Sequence, residues 1–321
     1  MIRPYFRASM VLAAVLTVLL SAGCGTGSGT GGSSGLEKPD LTVAAVPAFD
    51  SAGLYIAQQR GLFAAQGLHV TIVPAISSAT VIAGQLAGKY DVTLGAYPSY
   101  ILADALRGKR FRVLAAASNM GQSTQEVMVP PGSTIQNMGQ LKGKRIGVNA
   151  LNNLGTLLVS SLLSDYGVQA TSVHFVVIPF PEMAAAMKAH KVDAAWLPEP
   201  FITGAEESLG ATELADANQG ATQGLPVSGF MVTQDWENKY PKTAAAFRRA
   251  VVAAQALANT SLSAVQQGMV AYGHVNTQTA QISAAPGFPL QINALLLQRV
   301  ADLMQQFNFM GARYDVHLMV H

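Results

Sequence analysis

Ala87-Gly-Lys-Tyr-Asp91-Val-Thr-Leu-Gly-Ala-Tyr97-Pro98 is answered further along the chain by Ala189-His-Lys-Val-Asp193-Ala-Ala-Trp-Leu-Pro-Glu199-Pro200. Ala, Lys, Asp and the final Pro fall at matching positions. Each stretch follows a helical pattern and opens a short apolar strand. Upstream, Val73-Pro74 is answered by Ile178-Pro179, each closing a strand and opening that helix. A unit of strand, Pro, helix, A-x-K-x-D, strand, x-Pro therefore occurs twice. Two such units predict two similar α/β lobes that face each other across a cleft. Tyr97 and Glu199 then hold equivalent places at the ends of equivalent strands, where open α/β sheets bind ligands.

The rest of the pattern extends this unit. Apolar or β-branched runs over 41–46, 68–73, 91–94 and 111–117 read as strands of a first lobe, with helices between them. A polar stretch at 119–125 reads as a crossing into a second lobe, where 141–149, 173–178 and 193–196 are strands. A return crossing is expected at 220–226, then a strand over 227–233 and helices over 235–240, 242–258 and 290–307. The fold class is α/β with parallel or mixed sheets flanked by helices. Residues 36–120 and 225–321 form one lobe, and 121–224 the other.

The chain has 321 residues, of which 50% are hydrophobic and 12% charged. It can bury a sizeable core, and its charge content is about half the usual share. Arg3 and Arg7 supply the net charge of +2; without them, 18 basic residues face 18 acidic ones. That balance excludes the clustered basic surface of a nucleic-acid binder.

Arg3 and Arg7 flank a short positive region, and 8–20 is apolar but shorter than the roughly 20 residues needed to span a bilayer. Ser21-Ala22-Gly23-Cys24 follows. This order resembles a bacterial lipoprotein signal, in which the Cys is lipid-modified and becomes residue one. The place three before the Cys, usually aliphatic in such signals, holds Ser21. The expectation is a signal peptide over 1–23, a lipid anchor at Cys24 and a Gly/Ser tether over 24–35. Cys24 is the only cysteine, so the chain forms no internal disulfide. Gly27-Ser-Gly29-Thr-Gly-Gly32 fits G-x-G-x-x-G, but no strand precedes it and no helix follows, so it carries no dinucleotide reading.

Gly53-Leu-Tyr-Ile-Ala, Gly61-Leu-Phe and Gly67-Leu-His-Val resemble the first lobe of the substrate-binding proteins of nitrate, sulfonate, taurine and thiamine-precursor importers. Leu141-Lys-Gly-Lys-Arg-Ile-Gly-Val, Val192-Asp193-Ala-Ala and Pro198-Glu199-Pro200-Phe201 resemble the second lobe. Tyr240-Pro241-Lys and Val300-Ala-Asp-Leu-Met resemble the C-terminal helices. The resemblance runs from about Leu41 to the end. It implies a two-lobed periplasmic-binding-protein fold of type II that closes on a small molecule. It also implies delivery to an ABC permease with its ATPase, with the protein exported, monomeric and tethered at the outer face of the cytoplasmic membrane.

In such an architecture ligand contacts come from loops after strand ends and from helix N-termini. The candidates are Phe49, Asp50, Ser77, Ser78, Tyr97, Asn119, Asn149, Asn153, Thr156, Trp196 and Glu199. Several have a purely structural alternative. Ser77 and Ser78 fit plain helix caps, Trp196 fits the core, and Glu199 fits a residue that caps its own helix. Asp91 and Asp193 read as strand-initiating turn residues. Asp50, Glu126, Glu182 and Glu199 lie in or beside these loops, whereas Lys and Arg are absent from them. A carboxylate desolvated by closure needs a partner. The loops therefore favour a neutral or cationic organic ligand, and Phe49, Tyr97 and Trp196 suit a flat heterocycle.

Two other classes stay open. An enzyme on the same fold, similar to the fungal-type thiamine-pyrimidine synthases, would use His and Cys clusters. Here the six His (69, 174, 190, 274, 317, 321) are scattered, and no metal-ligand or nucleophile spacing occurs. No catalytic residue, metal or cofactor is expected. A ligand sensor that presents its closed form to a receptor is the other class. The anchor reading makes its own prediction. Cys24→Ala should release the protein from the membrane fraction or leave its signal uncleaved; unchanged cleavage and retention would overturn it.

Overall fold

A computed structural model describes residues 35–108 and 110–320. The expected signal peptide, Cys24 and all of the tether but Gly35 lie outside the described residues. The first sheet takes β1 (Asp40–Ala45), β2 (His69–Pro74), β3 (Val92–Ala96) and β4 (Phe111–Asn119). Helices α1 (Ala52–Gln59), α2 (Leu62–Ala65), α3 (Ser78–Leu86) and α4 (Tyr97–Arg107) connect these strands. The second sheet takes β5 (Gln125–Val129), β6 (Arg145–Val148), β7 (His174–Val177), β8 (Ala194–Pro198) and β9 (Thr212–Asp216), with α5 (Leu154–Ser164), α6 (Phe180–Lys188) and α7 (Phe201–Leu209). The chain then returns through β10 (Pro226–Thr233). It ends in α8 (Gln234–Lys239), α9 (Pro241–Thr260), α10 (Leu262–Tyr272), α11 (Thr277–Ile282) and α12 (Ala294–Gln306).

The strand orders are β2-β1-β3-β10-β4 and β7-β6-β8-β5-β9. In each sheet the first three strands are parallel, and the strand beside the third is antiparallel. That antiparallel strand is the one that has just arrived from the other sheet: β5 in the second, β10 in the first. The fold is α/β and two-lobed, and each lobe contains a strand delivered by the other.

The repeated A-x-K-x-D motif has one physical job in both lobes. Asp91 accepts from the Thr42 amide at 3.0 Å, and Asp193 from the Arg145 amide at 2.8 Å. Each carboxylate thus pins the start of the neighbouring parallel strand, and each Asp amide donates back to the same residue's carbonyl. Asp91 is also bound by the Lys38 ammonium and by the Trp236 indole at 3.0 Å; Asp193 is bound by the Arg145 guanidinium at 2.8 Å. The chain turns from helix to strand through a left-handed residue at matching places, Gly88 (φ 74°) and His190 (φ 52°).

Two glycines let side chains lie flat on the backbone. A β-carbon on Gly155, in buried α5, would run into the Trp196 ring, and one on Gly229 would come within 2.6 Å of the Tyr97 hydroxyl. Strands β5 and β9 and helices α10 and α11 are elements that the sequence pattern did not announce. No helix among the described residues is long and apolar enough to cross a membrane.

Strand β5 carries an electrostatic load. Glu126 stands opposite Asp216 of β9 in the ladder, is 3% exposed, and leaves Oε2 without a partner. Burial, with Glu213, Asp216 and Glu206 nearby, pushes its carboxyl up to about 8, against the pull of a hydrogen bond from Ser123. An acid whose folded pKa is raised holds its proton longer folded than unfolded. Stability therefore falls as pH rises from the ordinary Glu value, near 4.3, through about 8. Glu126→Gln should gain roughly 2–4 kcal/mol over wild type between about pH 5 and pH 9 in urea unfolding. A difference that does not change with pH would refute this assignment.

Candidate functional site

The C-terminal ends of the parallel strands of both sheets meet at a cleft with about 460 Å³ of empty volume. The first lobe lines it with Val46, Ala48 and Asp50 after β1, Ser78 at the start of α3, Leu94, Gly95 and Ala96 at the end of β3, and Val227. The second lobe supplies Gln125, Asn149, Asn153, Leu154, Phe180, Trp196 and Pro198. The small residues after β1 and β3 leave the space, and the Phe180 and Trp196 rings, 5.5 Å apart, form its aromatic wall.

The polar groups in this wall are unusual in one respect. Among the described residues five buried side-chain N or O atoms lack a partner, and three belong to this cleft: Asp50 Oδ1, Gln125 Oε1 and Trp196 Nε1. Buried polar atoms are almost always paired, so each orphan calls for an explanation. Burial pushes the Asp50 carboxyl up to about 6, partly offset by a hydrogen bond from Ser228 and by main-chain amides. Ser228 in turn shares a hydrogen bond with Ser118 at 2.9 Å. Asn153 caps α5 through the Thr156 amide at 3.2 Å, and its Nδ2 donates to Asn149 Oδ1 at 2.7 Å. Ser78 Oγ accepts from the Ala96 amide at 3.0 Å, joining α3 to the end of β3.

The eleven residues read from the sequence as contacts separate into groups. Asp50, Ser78, Asn149, Asn153 and Trp196 come together in the cleft. Phe49 and Glu199 line a smaller recess beside it, of about 230 Å³, which shares Asp50 and Gln125 with it. Ser77 caps α3, accepting from the Thr80 amide at 3.3 Å, and Thr156 completes the capping box of α5; neither lines the cleft. Glu182 is exposed on α6.

Tyr97 and Glu199 do not face each other across the cleft. Tyr97 opens α4, and its ring lies over Gly229 on the far side of the β3 end, where it lines a different cavity with Asn119. The Glu199 side chain turns back to its own helix. Thr203 donates to it through its hydroxyl (2.8 Å) and its amide (3.2 Å), and the Ala284 amide adds a third hydrogen bond at 3.2 Å. Burial raises its pKa and these donors lower it. The Glu199 backbone does join the lobes, since its carbonyl accepts from the Phe49 amide at 3.1 Å. Sequence reasoning missed Gln125 and Phe180. Phe180 directly follows the strand-closing Ile178-Pro179, and that placement was a signal for it.

The NMT1/THI5 like family model matches residues 48–261. Among solved structures, the alkanesulfonate-binding protein SsuA from Xanthomonas axonopodis pv. citri, bound to MOPS, superposes with a TM-score of 0.77 at 16% identity, covering 88% of this chain and 98% of that one. The periplasmic nitrate-binding protein NrtA from Synechocystis superposes with a TM-score of 0.75 at 14% identity, covering 89% and 87%. These establish the two-lobed periplasmic-binding-protein fold. Among curated proteins, the bicarbonate transport ATP-binding protein CmpC of Synechocystis sp. is 26% identical over 68% of this chain. The chain spans about a third (35%) of the length of the curated relatives it matches. With the family model covering most of its folded part, the chain belongs to the NMT1/THI5-like family.

Proposed function

We propose that this chain is the substrate-binding component of an ABC-type importer, which captures a small organic molecule by closing its lobes and hands it to a permease driven by an ATPase. It acts as an exported monomer, tethered through Cys24 at the outer face of the cytoplasmic membrane. The observation that carries the reading is the set of three orphaned polar atoms in the interlobe cleft. Polar atoms sealed in this way are costly unless a ligand completes them.

The same atoms indicate what the ligand offers. Asp50 Oδ1 and Gln125 Oε1 accept, whereas Trp196 Nε1 donates. Among the described residues no Lys or Arg lines the cleft. A neutral or cationic molecule with N–H groups and at least one acceptor fits this set, and the Phe180 and Trp196 rings favour a flat one. The bicarbonate, nitrate and alkanesulfonate named for its relatives are anions that Asp50 would repel.

A thermal-shift screen of the purified protein against pyrimidines, amines, aromatic acids, nitrate and alkanesulfonates tests this by mass action. Stabilisation is expected from N–H-bearing or cationic compounds, and stabilisation by nitrate or sulfonates alone would reject the assignment. Asp50→Asn should weaken a cationic hit more than tenfold, the usual cost of unpairing a buried charge being about 2–5 kcal/mol. A cation requires Asp50 ionised, so its affinity should fall about tenfold per unit as pH drops below about 6. Calorimetric titration across that range is decisive: flat affinity would remove Asp50 from the site.

A further inference from the structure

Tyr97 and Asn119 are brought together away from the cleft, in a second cavity with about 950 Å³ of empty volume that opens to solvent. The two cavities share no lining residue. Tyr97 is 2% exposed, and among the described residues no group hydrogen-bonds to its hydroxyl. The hydroxyl lies over Gly229, whose ladder partner Ala116 lines the same cavity. Among the described residues the Asn119 side chain likewise has no hydrogen-bond partner, its main chain being paired with Gly287.

The facing wall is the start of α12, a helix of 13 residues. Asn293 caps it, taking the Leu296 amide on its side chain at 3.1 Å and the Leu297 amide on its carbonyl at 2.9 Å. This leaves the Ala294 and Leu295 amides, the first two of the helix, without intrahelical partners. A helix N-terminus carries a positive partial charge and donates to anions. Pro226, Pro289, Ile292 and the strongly exposed Leu295 surround these donors with apolar surface. Among the described residues the lining holds no Asp or Glu to oppose an anion.

We propose that this second cavity binds a small organic carboxylate, its oxygens on the Tyr97 hydroxyl and the Ala294 and Leu295 amides and its apolar body along the Leu295 side. The cavity also spans both passages between the sheets, since Asn119 ends β4 and Pro226 opens β10. An occupant therefore touches the chain where it leaves the first lobe and where it re-enters it.

The probe is butyrate, titrated into the purified protein and followed by amide NMR, with chloride at equal ionic strength and butyramide as the uncharged isostere. Butyrate should shift the Ala294 and Leu295 amides saturably, whereas chloride should not, and butyramide should bind at least tenfold more weakly. Tyr97→Phe keeps the ring over Gly229 and should weaken butyrate roughly tenfold, as expected for losing a hydrogen bond to a charged group. Ala294→Pro removes one donor at a position that tolerates proline and should weaken it similarly. Absence of saturation, shifts confined to Asn149 and Asn153 in the cleft, equal binding of butyramide, or unchanged binding to both variants would each overturn the proposal.

Discussion

A carboxylate at the foot of the third strand holds each lobe in register. Asp91 and Asp193 each take an amide near the start of the neighbouring parallel strand, that of Thr42 or Arg145, and return their own amide to the same residue's carbonyl. The register set there runs to the other end of the strands, where Asp50, Asn149 and Trp196 project. A one-residue slip would send every side chain of a strand to the opposite face. The carboxylates lie far from the cleft along the strands, yet its shape depends on them. Each is also paired with a cation: Lys38, which ties the segment before β1 to the same point, or Arg145, at the start of β6 itself.

The exchange of strands between lobes is the second organising constraint. Because β5 and β10 each sit inside the receiving sheet, next to its third strand, the two passages emerge beside the cleft rather than at a remote edge. Gln125, the first residue of β5, lines the cleft directly, as does Val227 near the start of β10. The Glu199 region adds a third tie: its carbonyl holds the Phe49 amide, and its carboxylate holds the segment after α11. The polar residues nearest the cleft thus serve the joint between lobes as much as the ligand.

Much of this was legible in the sequence because it is written twice. The repeated motif located the parallel strands of both lobes, and a cap at Ser77 or Ser78 was readable from residue type, whereas Asn153, read as a ligand contact, also caps α5. The antiparallel strands β5 and β9 were not, although β10 was read as a strand over 227–233. Gln125–Val129 begins with two polar residues and so reads as part of a loop, while Thr212–Asp216 is an edge strand whose exposed residues blur the alternation. In α10 the buried face carries the small Ala264 and Gly268 beside Val265 and Met269, while the apolar Leu262 and Val270 are exposed, which blurs the helical pattern. At the site, a matching position along the backbone proved a poor guide to side-chain direction. Tyr97 follows the space that Gly229 leaves, more than one hundred residues away in sequence, and Glu199 follows the unfilled amides of α7. Both choices depend on tertiary neighbours that a local pattern does not contain.

The chain has two tryptophans, and the fold gives them opposite circumstances. Trp236 is fastened by its indole N–H to Asp91, at the foot of the first sheet. Trp196 stands in the cleft wall with its indole N–H unspent, flanked by Phe180 and pressed on Gly155. The molecule therefore carries its own optical gauge. With excitation selective for tryptophan, Trp236 should give a steady background, and a change in emission when the cleft fills should report on Trp196, without a dye or a label.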